Sequence, residues 1–330
     1  MEIAELNRWL AERNLGGHWL QEHGPEKWKP YLWKWSEVYE ALCRAGEAVP
    51  IDKSGRRTIQ LKNPSLERGM THTIHISVQL VKPGEIARAH RHVAAAIRYV
   101  LKGSDKAFTV VEGERFPMQE GDLITTPNWT WHDHYNGSGE PIIWLDGLDV
   151  RLASYLGAQF QEDFRQEQQP IEKPDSYSAK VLGHARPSWI KPSRRVPPFR
   201  YRWEETYSTL LALKQSEGDP FDGVRLEYTN PYHGGPTLTT FSCEIQLLRG
   251  GEKTKAHRHT STTVYHAFRG KGATEIGGQT FQWDQGDLFV VPPWHSHRHE
   301  NLSKDDSILF SITDRPALEV LALYREEPLE

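Results

Sequence analysis

From about residue 57 the chain alternates apolar and polar positions in short runs. The clearest are Thr71–Leu80, Ile97–Leu101, Ala107–Val111, Asp122–Thr126 and Pro141–Leu145. Gly or Pro separates most of them, at Pro83-Gly84, Gly103, Gly113, Gly121 and Pro127. Short period-two runs punctuated by turn residues predict an all-β sandwich or barrel. Residues 1 to about 46 differ. Leu6, Trp9 and Leu10, then Trp33, Val38 and Leu42, recur near helical spacing with Pro30 as a break, which predicts an amphipathic helical cap. Glu lies among Lys and Arg on its polar face, unlike the basic faces that favour anionic lipid. Ala153–Phe164 is predicted helical. Gln166–Pro198 is polar and Pro-rich and reads as an ordered connector or a flexible linker. After a short helix over Trp203–Gln215 the β texture resumes at about 236. The predicted division is a helical cap over 1–56, a β domain over 57–150, a connector over 151–235 and a second β domain over 236–330.

Composition narrows the class. The 330 residues are 37% hydrophobic and 25% charged, and 40 Lys and Arg against 44 Asp and Glu give a formal charge of -4. A near-neutral balance argues against nucleic acid as a partner. No apolar run approaches the roughly 20 residues of a membrane span. The opening MEIAELNRWLAERN lacks the pattern of a signal peptide. Two cysteines, Cys43 and Cys243, make no disulfide framework and point to a cytoplasmic setting. What stands out is 12 Trp and 16 His.

The two β regions repeat each other. Gly84-x5-His90-Arg91-His92 followed by Gly103 matches Gly251-x5-His257-Arg258-His259 followed by Gly270, at an offset of 167 residues. Gly121-Asp122-Leu123-x3-Pro127, His132 and Asn136 match Gly286-Asp287-Leu288-x3-Pro292, His297 and Asn301, at an offset of 165. So many matches in order identify a duplication.

His-x-His on a strand places two imidazoles on one face, because side chains alternate. With a third histidine from a neighbouring strand they make a three-nitrogen site for a divalent metal, and imidazole suits iron, zinc, copper or nickel. Each repeat offers such a set: His90, His92 and His132 in the first, and His257, His259 and His297 as a possible second metal site.

These elements resemble the two motifs of the cupin barrel, Gly-x5-His-x-His-x3,4-Glu-x6-Gly and Gly-x5-Pro-x-Gly-x2-His-x3-Asn. The fold this implies is two cupin barrels (double-stranded β-helix, jelly-roll) with an N-terminal helical segment and a helical connector. Ala96 and Thr263 stand where the cupin glutamate ligand would be, and Trp129 and Trp294 replace the second-motif glycine. Without the glutamate the three ligands are neutral, and the metal keeps its full charge and three open positions. More narrowly, Gln79–His92, Pro127–His134 and Trp144–Asp149 resemble the gentisate 1,2-dioxygenases and their salicylate and 1-hydroxy-2-naphthoate relatives, as do Trp33–Pro50, Leu61–Pro64 and the second cupin.

That resemblance implies one Fe(II) per chain held by His90, His92 and His132 in the first cupin, with the second site open. It implies a small aromatic acid chelated through its carboxylate and ortho-hydroxyl, and dioxygen inserted between the carbons that bear them. The expected reaction is extradiol-type ring opening of gentisate or of a 5-substituted salicylate such as 5-nitrosalicylate. Arg98, six residues after His92 and read as facing the same side of that strand or its continuation, is given the substrate carboxylate or the oxygen intermediate. His134 shares His132's face by parity and is the candidate acid, base or hydrogen-bond partner. Gln79 is a further substrate contact. Asp146 orients His134 or binds a ring substituent. His75 and Ser77 replace the aromatic or aliphatic residue and glycine usual in the family, and would read the substituent. Homodimers or homotetramers are implied. The alternatives are a 1-hydroxy-2-naphthoate dioxygenase, or a non-oxygenase metal cupin acting as an isomerase or binding protein.

Overall fold

A computed structural model describes residues 2–16, 19, 28–183, 185, 187–191 and 196–329. The helices are α1 (Ile3–Ala11), α2 (Trp35–Ala48), α3 (Ile51–Ser54), α4 (Val150–Tyr155), α5 (Tyr177–Leu182), α6 (Trp203–Leu213) and α7 (Arg315–Val320). Strands of the first half are β1 (Tyr31–Trp33), β2 (Thr58–Gln60), β3 (His75–Val81), β4 (Ile86–His92), β5 (Ala96–Lys102), β6 (Ser104–Val111), β7 (Glu114–Met118), β8 (Leu123–Thr126), β9 (His132–Asn136), β10 (Ile142–Leu148) and β11 (Gln161–Asp163). Those of the second are β12 (Arg200–Tyr201), β13 (Val224–Glu227), β14 (Ser242–Leu248), β15 (His257–His259), β16 (Thr263–Arg269), β17 (Lys271–Ile276), β18 (Gln279–Asp284), β19 (Leu288–Val291), β20 (His297–Asn301), β21 (Ser307–Thr313) and β22 (Glu326–Pro328).

Each half is a pair of facing sheets, as the alternating runs predict. The first pairs the sheet β12-β8-β5-β10-β3-β2 with β11-β4-β9-β6-β7. The second pairs β1-β19-β16-β21-β14-β13 with β18-β17-β20-β15-β22. The two six-stranded sheets pack back to back. Their shared core joins Ile76, Val78, Ile97 and Leu145 to Ile245, Val264 and Ile312. Tyr99 stacks on Phe310 at its centre, ring centroids 3.8 Å apart. Burying this much apolar surface is the main force holding the halves together.

The sheet orders show an exchange that the hydrophobic pattern does not foretell. β1 pairs with β19 of the second half, and β12 pairs with β8 of the first. Each strand leads into a helix whose N-cap residue offers no capping side chain. The cap comes from the other half. Asp287 accepts the Trp35 N–H at 2.8 Å and pairs with Lys34 at 2.6 Å, and Asp122 accepts the Trp203 N–H at 2.9 Å and pairs with Arg200 at 2.7 Å. A carboxylate there satisfies an orphan N–H and complements the helix dipole. Gly121 and Gly286 lie beneath these straps at φ +82° and +95°, and a Cβ on either would meet the Trp203 or Trp35 ring within 2.6 Å. The Gly-Asp dipeptides of the repeat are thus receptors for straps.

Other differences are local. The described part of the N-terminal region is three helices with a strand between the first two; residues 17, 18 and 20–27 of the expected cap lie outside the described residues. Helix forms only over Val150–Tyr155 of the segment around 153–164, and the rest returns as β11 to pair with β4. The connector follows the first half as far as α5: Asp133 accepts the Gln169 N–H, Arg115 pairs with Asp175, and Glu114 accepts from the Ser178 N–H and hydroxyl. Its residues 184, 186 and 192–195 lie outside the described residues. β structure resumes at Val224, earlier than 236. Trp129 and Trp294 keep a left-handed backbone, φ 60° and 62°, at the position cupins give to glycine. Such a conformation costs on the order of 1–3 kcal/mol. The rings repay it by covering Arg91 and Arg258, whose guanidinium carbons sit 4.3 and 4.6 Å from the ring centroids.

Candidate active site

β4 carries His90 and His92 on one face, and β9 carries His132 and His134 on one face. His90 is registered beside His132. The three rings converge, His132 lying 4.2 Å from His90 and 4.8 Å from His92 between centroids. In each ring Nδ1 is tied to a nearby carbonyl: Arg88 at 3.0 Å, Ala94 at 2.7 Å and Thr130 at 2.9 Å. That fixes the tautomer with the proton on Nδ1 and turns the Nε2 lone pairs inward. Burial first of all keeps the three rings neutral, helped by the Arg56 and Arg98 charges and, for His90 and His132, by the neighbouring rings: His90 is pushed down to about 2, His92 to about 4 and His132 well below its ordinary value. Nε2 of His132 is buried with no hydrogen-bond partner among the described residues. Three oriented, neutral donors within 4.8 Å of one another fit a divalent metal.

The facing wall is the sheet β5-β10-β3-β2. Arg98, Asp146, Ser77 and Gln60 are direct cross-strand neighbours and form one row. Gln79 and Thr58 lie in the row on one side, His75 and Leu148 in the row on the other. Arg98 therefore does not lie on a continuation of the His92 strand. The chain crosses at 93–95 to the opposite sheet, and Arg98 meets the triad from across the cavity. The Arg98 guanidinium is buried, donates to the Thr126 hydroxyl and sits 3.6 Å from Asp146. Asp146 also accepts from Trp144 Nε1 at 2.9 Å. Asp146 thus stands beside Arg98 and Trp144. Burial raises the Asp146 carboxyl and lowers the Arg98 guanidinium, and each charge opposes the other's shift.

His134 packs on Trp144, centroids 4.8 Å apart, and among the described residues neither ring nitrogen has a hydrogen-bond partner. Burial and then Arg98 hold it neutral. The Gln79 Nε2 is likewise buried and unpartnered. His75 is half-buried, its pKa lowered by burial and by Arg151. Arg98, Asp146, Gln79, Ser77, His75, His90 and His92 all line a cavity of about 1220 Å3, while His132 and His134 sit behind it. The cavity wall carries six cationic and three anionic side chains. The sequence reading missed Arg56, from the turn between α3 and β2, whose guanidinium abuts the His90 ring.

The second triad has the same form, His257, His259 and His297, with centroid separations of 4.3 and 4.9 Å to His297. Its surroundings are filled. Arg225 pairs with Asp222 at 2.9 Å and with Glu244 at 3.6 Å, and only about 20 Å3 remains. That is room for about one water.

Residues 77–148 and 244–313 each match the cupin domain family. A 5-aminosalicylate 1,2-dioxygenase of Comamonas sp is 43% identical over 99% of this chain and 90% of its own length. A 1-hydroxy-2-naphthoate 1,2-dioxygenase of a Nocardioides species is 39% identical over 99% and 88%. Among solved structures, the gentisate adduct of a salicylate 1,2-dioxygenase from Pseudoaminobacter salicylatoxidans superposes with a TM-score of 0.89 at 29% identity, over 99% of this chain and 93% of that one.

Proposed function

The chain belongs to the ring-cleaving gentisate and salicylate 1,2-dioxygenases, enzymes of two cupin domains, and from that premise we propose its substrate and the residues that act on it. The substrate is a salicylate bearing a polar 5-substituent, the amino compound or gentisate first, opened between its carboxyl- and hydroxyl-bearing carbons. One observation carries this reading: a roomy, basic cavity has an oriented histidine triad on one wall and a row of polar, partly unpartnered side chains on the other.

His90, His92 and His132 would hold one ferrous iron per chain. Bound there, iron supplies the Lewis acidity and redox capacity that let a closed-shell ring react with dioxygen. The protein's part is position, charge and protons. The basic wall attracts an anionic acid. Arg98, held by Thr126 and Asp146, meets the substrate carboxylate or the negative charge that develops on oxygen as the ring opens. Neutral His134, with both nitrogens free of partners among the described residues, serves as a hydrogen-bond partner for a substrate oxygen. Gln79 donates its unpartnered Nε2 hydrogens to a substrate oxygen, and Ser77 and His75 read the 5-substituent by hydrogen bonds. Residues 57–150 form the catalytic cupin in this reading, with the cap at 1–56, the connector at 151–235 and the second cupin at 236–330. Exposed apolar side chains on α1 (Ile3, Trp9) and at the ends of α4 and α7 (Leu156, Leu321) support a homodimer or homotetramer. Among the described residues no helix is long and apolar enough to cross a membrane, and the low cysteine content supports a cytoplasmic setting.

Oxygen uptake by iron-loaded protein is the test, with gentisate, salicylate, 5-aminosalicylate, 5-nitrosalicylate and 1-hydroxy-2-naphthoate. The 5-aminosalicylate and gentisate rates should exceed the others. No uptake with any would defeat the proposal, and a preference for the naphthoate would move the substrate class.

A further inference from the structure

β10 and β21 each run out into a buried aspartate, Asp149 and Asp314. The two carboxylates are bound alike. One oxygen of Asp149 accepts the Ala95 N–H at 2.8 Å, and the other accepts the hydroxyl of Thr240, from the second half, at 2.6 Å. One oxygen of Asp314 accepts the Thr262 N–H at 2.8 Å, and the other accepts the hydroxyl of Thr73, from the first half, at 2.5 Å. Thr73 and Thr240 stand at the 167-residue offset of the duplication, Asp149 and Asp314 at the 165-residue offset. One contact is thus made twice, in reciprocal directions. Hydroxyls and amides hold both carboxylates, and among the described residues neither has an ion pair. A carboxylate buried in this way depends on every one of its hydrogen bonds. Gly147, two residues before Asp149, leaves the space that Ile312 of the other half fills; a Cβ there would meet that side chain at 2.7 Å.

The amide that Asp149 holds belongs to the crossing at 93–95, which leaves the triad at His92 and delivers Arg98 to the facing sheet. The crossing is pinned residue by residue. The Val93 N–H donates to the Phe160 carbonyl at 3.1 Å, and the Ala94 N–H to the Gln159 side chain at 3.2 Å. The Ala94 carbonyl accepts Nδ1 of His92 at 2.7 Å. Ala95 is bound to Asp149 through both its N–H and its carbonyl. Asp149 ties this crossing to the second half.

We propose that Thr240, a residue of the second half, is a positioning residue for the reaction in the first: through Asp149 it sets the crossing at 93–95, and so the placing of His92 opposite Arg98. This rests on the reading of the first triad as the reacting site. The catalytic cupin is then incomplete without its duplicate, which supplies a fixed point behind the site. Thr73 makes the same bond toward the second triad, whose surroundings are filled, and so serves as an internal control.

The experiment compares Thr240→Val with Thr73→Val, each of which removes one hydroxyl and keeps the side-chain shape. Both should lower the denaturant midpoint alike. In metal-free protein, hydrogen exchange should quicken about tenfold, the scale of one hydrogen bond, at the Ala95 amide in Thr240→Val and at the Thr262 amide in Thr73→Val. In iron-loaded protein only Thr240→Val should lower kcat per bound iron, by about tenfold, and shift the visible band of the anaerobic 5-aminosalicylate complex. Thr240→Ser should bring both back to wild type, and Thr73→Val should leave both unchanged. A hydroxyl that serves stability alone would not move the band or the rate per iron. Equal effects of the two valine variants on rate and band, or no recovery in Thr240→Ser, overturns the proposal. If wild type takes up no oxygen with any ring acid, the substrate reading falls by itself, and unchanged Ala95 exchange in Thr240→Val still overturns this one.

Discussion

The two halves share a fold, a histidine triad and the strap that clasps each of them, yet one holds a large cavity and the other is filled. Few positions make the difference. Asp146 registers beside Arg98, whereas the equivalent pair in the second half is Ser311 and Tyr265. Thr58 and Gln79 pair across β2 and β3, where the second half has Arg225 and Gln246. Ser77 beside Gln60 becomes Glu244 beside Glu227. The second half brings its own counter-ions to the triad, and the first leaves its charges for something else to meet. The histidine beyond each triad repeats the contrast. Thr274 hydrogen-bonds Nδ1 of His299 at 2.9 Å, while among the described residues His134 has no hydrogen-bond partner at either nitrogen. A duplicated barrel thus separates metal holding, which needs only the triad, from ligand holding, which needs room and uncompensated polar groups.

The strongest test of this asymmetry removes one triad at a time. His90→Ala should reduce oxygen uptake to background. His257→Ala should leave most of it, and iron analysis of the two variants will show whether the second triad takes metal. Equal loss in both would abolish the distinction. Next, Arg225→Thr alone strands Asp222 and Glu244 without their cation and should cost about 3–5 kcal/mol in denaturant unfolding. Replacing the group together, Arg225→Thr with Asp222→Ser and Glu244→Ser, should recover most of that stability, because the buried charges leave as a set. A third test probes what the halves share. Gly121→Ala and Gly286→Ala each drive a Cβ into a strap tryptophan and should destabilise by about 1–3 kcal/mol, alike in the two halves. The smallest effect is a pH slope. Burial first of all raises the Glu244 carboxyl to about 7 and Asp222 to about 6, although Arg225 opposes both. A carboxyl whose pKa is higher folded than unfolded binds its proton more tightly in the native state. The stability it contributes is therefore greatest in acid and declines from about pH 4 to pH 7. In metal-stripped protein Glu244→Gln should flatten that decline.

Much of the site was legible in the sequence, because strand parity and the repeat are strong signals. His90, His92 and His132 meet because period two puts the first pair on one face, and the repeat names the third. His134 follows by the same parity. Arg98 arrives at the triad by a route that counting residues does not give, since three residues at 93–95 carry the chain from one sheet to the facing one. Asp146 could not be assigned its partner from the sequence, because cross-strand register depends on where β5 and β10 align. Arg56 had no local signal at all. Its direction is set by Arg57 being pinned to Glu85, 28 residues away. The straps were equally hidden, for no periodicity in residues 31–48 says which sheet will receive them.

Those straps bear on how the chain can be made. Lys34 and Asp287 lie 253 positions apart. During synthesis the first strand, β1, emerges early but has no sheet to join until β19 has left the ribosome, and β8 keeps an open edge until Arg200 and Tyr201 are exposed. Pairings this distant slow folding, and an unpaired edge is where a nascent chain aggregates. The molecule reaches its native state only when nearly the whole polypeptide is available, so a chain truncated before residue 288 would lack the partner for its own N-terminal strand.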